Sequence, residues 1–334
     1  MAFGATILDA EGLRLSAAEK ALFREADPFG FILFARNIDS PDQVRALTAE
    51  MRDSVGRDVP ILIDQEGGRV QRLRPPHWRD WLPPLAHVTR AGLHADEAMY
   101  LRYRLIADEL RAIGVDCNCA PLVDLASEAT HPFLKNRCYG TDPEEVAAIG
   151  RVVAEAHLAG GVLPVVKHIP GHGRAVADSH LELPVVDISP LDWATSDAVP
   201  FRALNDLPLG MTAHITYPAW GDAPATLNAP MIESIRQDLG FDGLLMTDDI
   251  SMKALAGPPA DLAAASLAAG CDVVLLCNAD LATRRAVVEA SGRMSAAAQT
   301  RAERAMAARR TPDAIDIPAM EAKLEALLNG RLHG

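Results

Sequence analysis

Eight short apolar runs recur along the chain at intervals long enough to hold a helix. They are ATILDA (5–10), GFILFA (30–35), ILIDQ (61–65), VDCNCAPLVD (115–124), VLPVVKH (162–168), LGMTAH (209–214), GLLMTDD (243–249) and CDVVLLC (271–277). Near-continuous apolar runs of this length read as strands of a parallel sheet covered on both faces. Between most of them lie amphipathic helical patterns such as SAAEKALFREA, SPDQVRALTAEMRDSV and DPEEVAAIGRVVAEAHLAGG, several opening on Ser or Asp and closing on Gly as helix caps do. Eight strand–helix units favour an α/β fold of the (β/α)8 TIM-barrel type over an open doubly wound sheet, which has fewer strands. We expect one such domain over residues 1–334. The last barrel helix and a C-terminal helical extension would take about 280–334, with a break at Thr311-Pro312.

Each run ends in polar residues: Asp9, Arg36 and Asn37, Asp64, Asp124, Lys167 and His168, His214, Asp248 and Asp249, and Asn278. A closed barrel gathers such residues on one rim, where barrel enzymes place their chemistry. Taken singly, each would serve equally well to cap backbone groups at the start of a loop.

With 45 acidic against 32 basic residues and no run of like charge, the chain offers neither nucleic acid nor an anionic membrane a surface. Any anion must be met by locally placed Arg and Lys. The five cysteines are odd in number and lack CxxC spacing, which suits reduced, buried thiols in a cytoplasmic protein. The N-terminus has no basic stretch ahead of an apolar one, and no window reaches about 18 uninterrupted apolar residues.

Three constellations carry chemical potential. In DQEGGRVQRLR (64–74), Gly67-Gly68 would let the backbone turn sharply and a ligand come close, while Asp64 and Arg72 offer an acceptor and donors to a polar substrate. The plainer alternative is a Gly-Gly turn with a surface ion pair. In MTDDISM (246–252), adjacent carboxylates point to opposite sides of an extended chain, so Asp248 is taken as the inward one, able to act as a nucleophile. Asp249 would then hold a neighbouring loop or lysine, or the pair would cap a following helix. The third stretch is KHIPGHGRAVADSH (167–180). A metal site is disfavoured because the ligands lie in a Pro/Gly loop, match no compact ligand pattern, and sit beside Lys167. Proton transfer by His180, oriented and charged by Asp178, and a purely structural loop remain as readings.

Together, KHIPGHG followed by DSH, IDQEGGRVQR upstream and GFDGLLMTDDISM downstream resemble the bacterial cytoplasmic β-N-acetylglucosaminidases of peptidoglycan recycling in glycoside hydrolase family 3. The resemblance runs from ILDAEG to CDVVLLCN around Asn278. It implies a single (β/α)8 barrel, Asp248 as nucleophile, Asp178 and His180 as a mobile acid/base dyad, and Asp64, Arg72, Arg137, Lys167 and His168 as sugar contacts. It also implies a muropeptide or disaccharide substrate, terminal N-acetylglucosamine on 1,6-anhydro-N-acetylmuramic acid, and no metal or organic cofactor. We expect a monomer with no nucleic-acid or membrane partner. His172 is read as a residue that holds the loop by hydrogen bonding. Phosphorolysis at the same site, a metal-dependent barrel hydrolase and a non-catalytic muropeptide-binding protein stand as rivals.

Overall fold

A computed structural model of the chain describes residues 2–176 and 182–329. Eight strands form one parallel sheet: β1 (Gly4–Asp9), β2 (Pro28–Leu33), β3 (Ile61–Ile63), β4 (Cys117–Asn118), β5 (Leu163–Ile169), β6 (Leu209–Thr212), β7 (Leu244–Met246) and β8 (Val274–Leu276). Their order is β8-β1-β2-β3-β4-β5-β6-β7, and a parallel bridge from Met246 to Val273 joins the two remaining edges. The sheet therefore closes into the barrel expected from the apolar runs.

Alternation along each strand divides the core in two. Ile7, Ile32, Leu62, Val165, Leu209 and Leu275 point inward with the Cys117, Cys119 and Cys277 thiols, which burial keeps protonated. Their neighbours Leu8, Phe31, Leu33, Ile61 and Ile63 point outward against the helices. Each fully buried side chain of this size contributes about 1.5–3 kcal/mol. Both faces are thus apolar, which is why the runs show no polar alternation.

The caps fall where the sequence places them. Ser16 and Glu19 form a reciprocal capping box ahead of helix Ala17–Ala26, Ser40 accepts from Gln43 N, and Asp142 accepts from Glu144 N and Glu145 N. Gly56, at φ 68°, ends helix Pro41–Val55 in the left-handed region that glycine favours.

Two details differ from expectation. The run 115–124 pairs as a regular strand only at Cys117–Asn118; Pro121 has no N–H to give a ladder, and the chain continues beside β5 through Val123 N–H donating to Lys167 O at 2.9 Å. Asp9 is not free at the barrel mouth but is paired with Arg36 and Arg284. It is buried and accepts from Arg284 Nη2 at 2.7 Å and Nε at 3.1 Å and from Asn278 N–H at 2.6 Å. That carboxylate fastens β1 to the last barrel helix, Leu281–Ser291.

Beyond it, helix Ala296–Ala307 adds Ala298, Ala302 and Ala305 to the inner core at the end where the strands begin. Arg301 reaches Asp272, just ahead of β8, at 3.0 Å. Helix Ile317–Leu328 then packs against helix Ala95–Ala112. Among the described residues no helix is long and apolar enough to cross a membrane.

Candidate active site

At the carboxyl ends of the strands lies a cavity of about 390 Å³ lined by residues in or just after β2, β3, β5, β6, β7 and β8 and by the 131–137 segment. Asp64, Arg72, Arg137, Lys167, His168 and Asp248 all line it. The structure thus brings together six of the eight residues singled out from the sequence. The other two, Asp178 and His180, lie outside the described residues.

Asp64 follows β3 directly, and the chain then folds back as a small antiparallel hairpin, Gln65–Gly67 with Val70–Gln71. Gly67 (φ +111°) and Gly68 (φ +59°) make its turn. A Cβ on Gly67 would lie 1.9 Å from Arg102 Nη2, and one on Gly68 would lie 2.9 Å from Pro83. The glycines admit the protein's own Arg102 and Pro83, not a ligand, against the backbone. Arg102 is fully buried and donates to Leu82 O at 2.8 Å and to Glu66 O, holding the hairpin from behind.

The hairpin delivers Glu66 into a buried ion network. Arg137 grips Glu66 with Nε to Oε2 at 2.9 Å and Nη2 to Oε1 at 2.8 Å, a bidentate pairing. Lys167, 1% exposed, reaches Glu66 Oε1 at 2.6 Å and Asp64 Oδ1 at 3.0 Å, and Arg72 donates to Asp64 Oδ2 at 2.9 Å. Burial alone would raise both carboxyls. The Lys167 and Arg72 charges hold Asp64 far below the usual carboxylate range, and Arg137 and Lys167 bring Glu66 down to about 2. Burial would likewise lower Lys167, but Asp64 and Glu66 keep it firmly protonated. Three cations and two carboxylates thereby fix one another, leaving a rigid wall of donors and acceptors.

Glu66 was not among the residues assigned from the sequence. Its signal was its place two residues after a strand-end Asp, but its partners lie 71 residues away at Arg137 and in β5 at Lys167.

On the opposite side, β7 ends in Asp248 and Asp249. Asp248 accepts from the Asp249 N–H at 2.8 Å. Burial would raise it, yet electrostatic attraction to the neighbouring His214 and His168 rings and to Lys167, together with that hydrogen bond, holds it below the usual carboxylate range. Asp249 behaves oppositely: burial pushes it up to about 6. Its carboxylate accepts from Ser251 N at 3.0 Å, Ser251 Oγ at 2.7 Å and Cys277 N at 3.0 Å, tying the loop after β7 to β8. No helix begins here, since the next opens only at Pro259. Two adjacent carboxyls pushed apart in this way leave one ionised and available at neutral pH and the other in a structural role.

Lys167 and His168 both line the cavity although they are consecutive in β5, because the register with β6 shifts between Val166 and Ile169. His168 Nδ1 lies 2.7 Å from Asp124 Oδ2. Asp124 Oδ1 also accepts from the His172 N–H at 2.6 Å. His172 therefore holds its loop through its main chain. Its ring Nδ1 has no hydrogen-bond partner among the described residues, and burial keeps the ring neutral, with its pKa at about 4.

An ionised aspartate facing a preformed set of carboxylates, guanidinium groups and a lysine at the mouth of a (β/α)8 barrel defines an enzyme cavity suited to a small polyhydroxylated ligand. Residues 7–308 match the glycosyl hydrolase family 3 N terminal domain, and the chain belongs to that family as a glycoside hydrolase of the β-N-acetylhexosaminidase type. It is 38% identical over 309 residues to the β-hexosaminidase of Methylococcus capsulatus, covering 91% of each chain. It is 36% identical over 305 residues to that of Pseudomonas aeruginosa strain PAO1, covering 90% of each. The NagZ of Neisseria gonorrhoeae, solved in complex with N-trifluoroacetyl-D-glucosamine, has a TM-score of 0.82 at 29% identity, covering 99% of this chain and 98% of that one.

Proposed function

We propose that the protein is a retaining exo-β-N-acetylglucosaminidase that removes terminal N-acetylglucosamine from 1,6-anhydro-N-acetylmuramic acid, with or without a stem peptide, in cytoplasmic peptidoglycan recycling. The observation that carries this reading is Asp248, an aspartate kept ionised on a rim that otherwise presents the Asp64, Arg72, Arg137, Lys167 and His168 donors and acceptors. In the first step a protonated His180, charged by Asp178, gives its proton to the glycosidic oxygen. An Asp248 oxygen attacks the anomeric carbon, the carbon–oxygen bond to the leaving sugar breaks, and a glycosyl-aspartate ester forms. In the second step His180, now neutral, takes a proton from water as the water oxygen attacks the same carbon and releases Asp248. Two inversions give net retention.

A histidine in the acid role keeps a second negative charge away from Asp248. The ion pairs among Asp64, Glu66, Arg72, Arg137 and Lys167 would give the sugar a preorganised bed, so that little reorganisation accompanies charge development. The expected result is turnover of a nitrophenyl N-acetylglucosaminide with a kcat/KM at least about 100-fold above that of the matching glucoside, since a site that hydrogen-bonds the acetamido group would reject a substrate lacking that group. Comparable turnover of the two would contradict the substrate assignment. Formation of a sugar 1-phosphate in phosphate buffer, as the main product, would replace hydrolysis by phosphorolysis.

A further inference from the structure

The loop that follows β4 supplies a carboxylate with no place in the steps above. Asp124 is fully buried and does not line the cavity, yet it sits between two residues that do, His168 and His172. Its two oxygens are used differently. Oδ1 accepts from the main-chain N–H of His172 at 2.6 Å and, more distantly, from that of His168 at 3.4 Å. Oδ2 faces His168 Nδ1 at 2.7 Å. We propose that Asp124 is a positioning residue: it holds the proton of His168 on Nδ1, locks the ring plane, and so leaves Nε2 as the nitrogen that meets the bound sugar. This rests on the reading of the cavity as a sugar site.

An ionised carboxylate has no proton to offer, so the group opposite each of its oxygens must donate. Asp124 is held below the usual carboxylate range: burial opposes ionisation, but electrostatic attraction to the adjacent His168 imidazole and the hydrogen bond between them outweigh it. At Oδ2 the donor must then be Nδ1–H, and the ring cannot turn without breaking that bond. The main-chain bonds to Oδ1 keep the carboxylate itself from rotating. A ring free to flip would present a donor or an acceptor to the ligand at random, whereas this one presents a single atom.

The substitution Asp124→Asn tests this. The two N–H donors at Oδ1 require the amide oxygen there, which leaves the amide nitrogen opposite His168. An NH2 group can only donate, so Nδ1 must give up its proton and Nε2 must take one. Shape is preserved while the tautomer reverses.

In protein labelled with 15N-histidine, with His168 signals identified by their loss in His168→Gln, the wild type is expected to carry the proton on Nδ1 and Asp124→Asn to lack it there. KM for a nitrophenyl N-acetylglucosaminide should rise about 10- to 100-fold, the cost of turning one buried hydrogen bond to the ligand from matched to mismatched, with kcat changing by less than about threefold. In a His168→Gln background the same substitution should change KM by less than about twofold, because its effect passes through the ring. An unprotonated Nδ1 in the wild type, or an unchanged tautomer or KM in Asp124→Asn, would overturn the proposal. So would an undiminished effect in the His168→Gln background. The labelling result on free enzyme concerns Asp124 alone, and wild-type turnover of the glycoside concerns the sugar-site reading alone, so either can fail without the other.

Discussion

Replacing Asp248 with alanine is expected to lower turnover of a nitrophenyl N-acetylglucosaminide by about 10⁴-fold or more, an effect on the scale seen when a covalent nucleophile is removed. That corresponds to about 5–6 kcal/mol of lost barrier reduction. An activated nitrophenolate leaves readily without a proton, so the loss arises at the attacking atom, and the neighbouring carboxylates are engaged elsewhere, Asp64 with Lys167 and Arg72. Glu66 is locked between Arg137 and Lys167, and Asp249 is taken up by Ser251 and Cys277. Asp249→Asn should cost less than about tenfold, since an amide oxygen can keep both main-chain bonds and its nitrogen can donate to Ser251 Oγ. Steady-state kinetics on the two variants separates the carboxylates. Equal losses would remove the distinction drawn between them.

The second large effect is on stability. Glu66 is 1% exposed and neutralises two buried cations, so Glu66→Gln strands much of the charge on Arg137 and Lys167. Breaking a buried pair by removing one partner costs about 3–5 kcal/mol, which urea denaturation at neutral pH should report.

The cost should depend on pH in a definite direction. In the unfolded chain a glutamate titrates near its ordinary value, whereas in the folded protein Glu66 is held down to about 2. A depressed acid contributes stability that is fully present above about pH 4.5 and is lost as pH falls toward 2. The stability gap between wild type and Glu66→Gln should therefore be widest at neutral pH and narrow steadily through that window. A gap independent of pH would mean that packing, not charge, fixes the residue.

The barrel was legible because its strands are apolar on both faces and few residue types serve that environment; Ile7 and Leu8 are equally buried although they point opposite ways. Helix starts were legible for a local reason as well, since Ser16, Ser40 and Asp142 cap helices that begin at the next residue. What could not be read were pairings between distant segments. Asp124 could be seen to end a run, but not to accept from His168, 44 residues further on. Asp9 had the same sequence appearance and instead closes the barrel against Arg284.

The same limit applied to the glycines. Gly67 and Gly68 announced a tight turn, but only the packed structure identifies Arg102 and Pro83 as the groups that crowd them. The Pro121 position shows the converse. One residue without an N–H shortened a strand that its apolar neighbours had extended.

We propose that Asp248 forms a covalent bond to the sugar during turnover. The most direct test is inactivation with a 5-fluoro N-acetylglucosaminyl fluoride, which slows breakdown of a glycosyl-enzyme more than it slows its formation, followed by mass spectrometry of the digested protein. The expected result is one added glycosyl group, on the peptide containing Met246–Met252 and at Asp248. A label on Asp249 or Glu66, or steady turnover with no covalent adduct trapped, would contradict it.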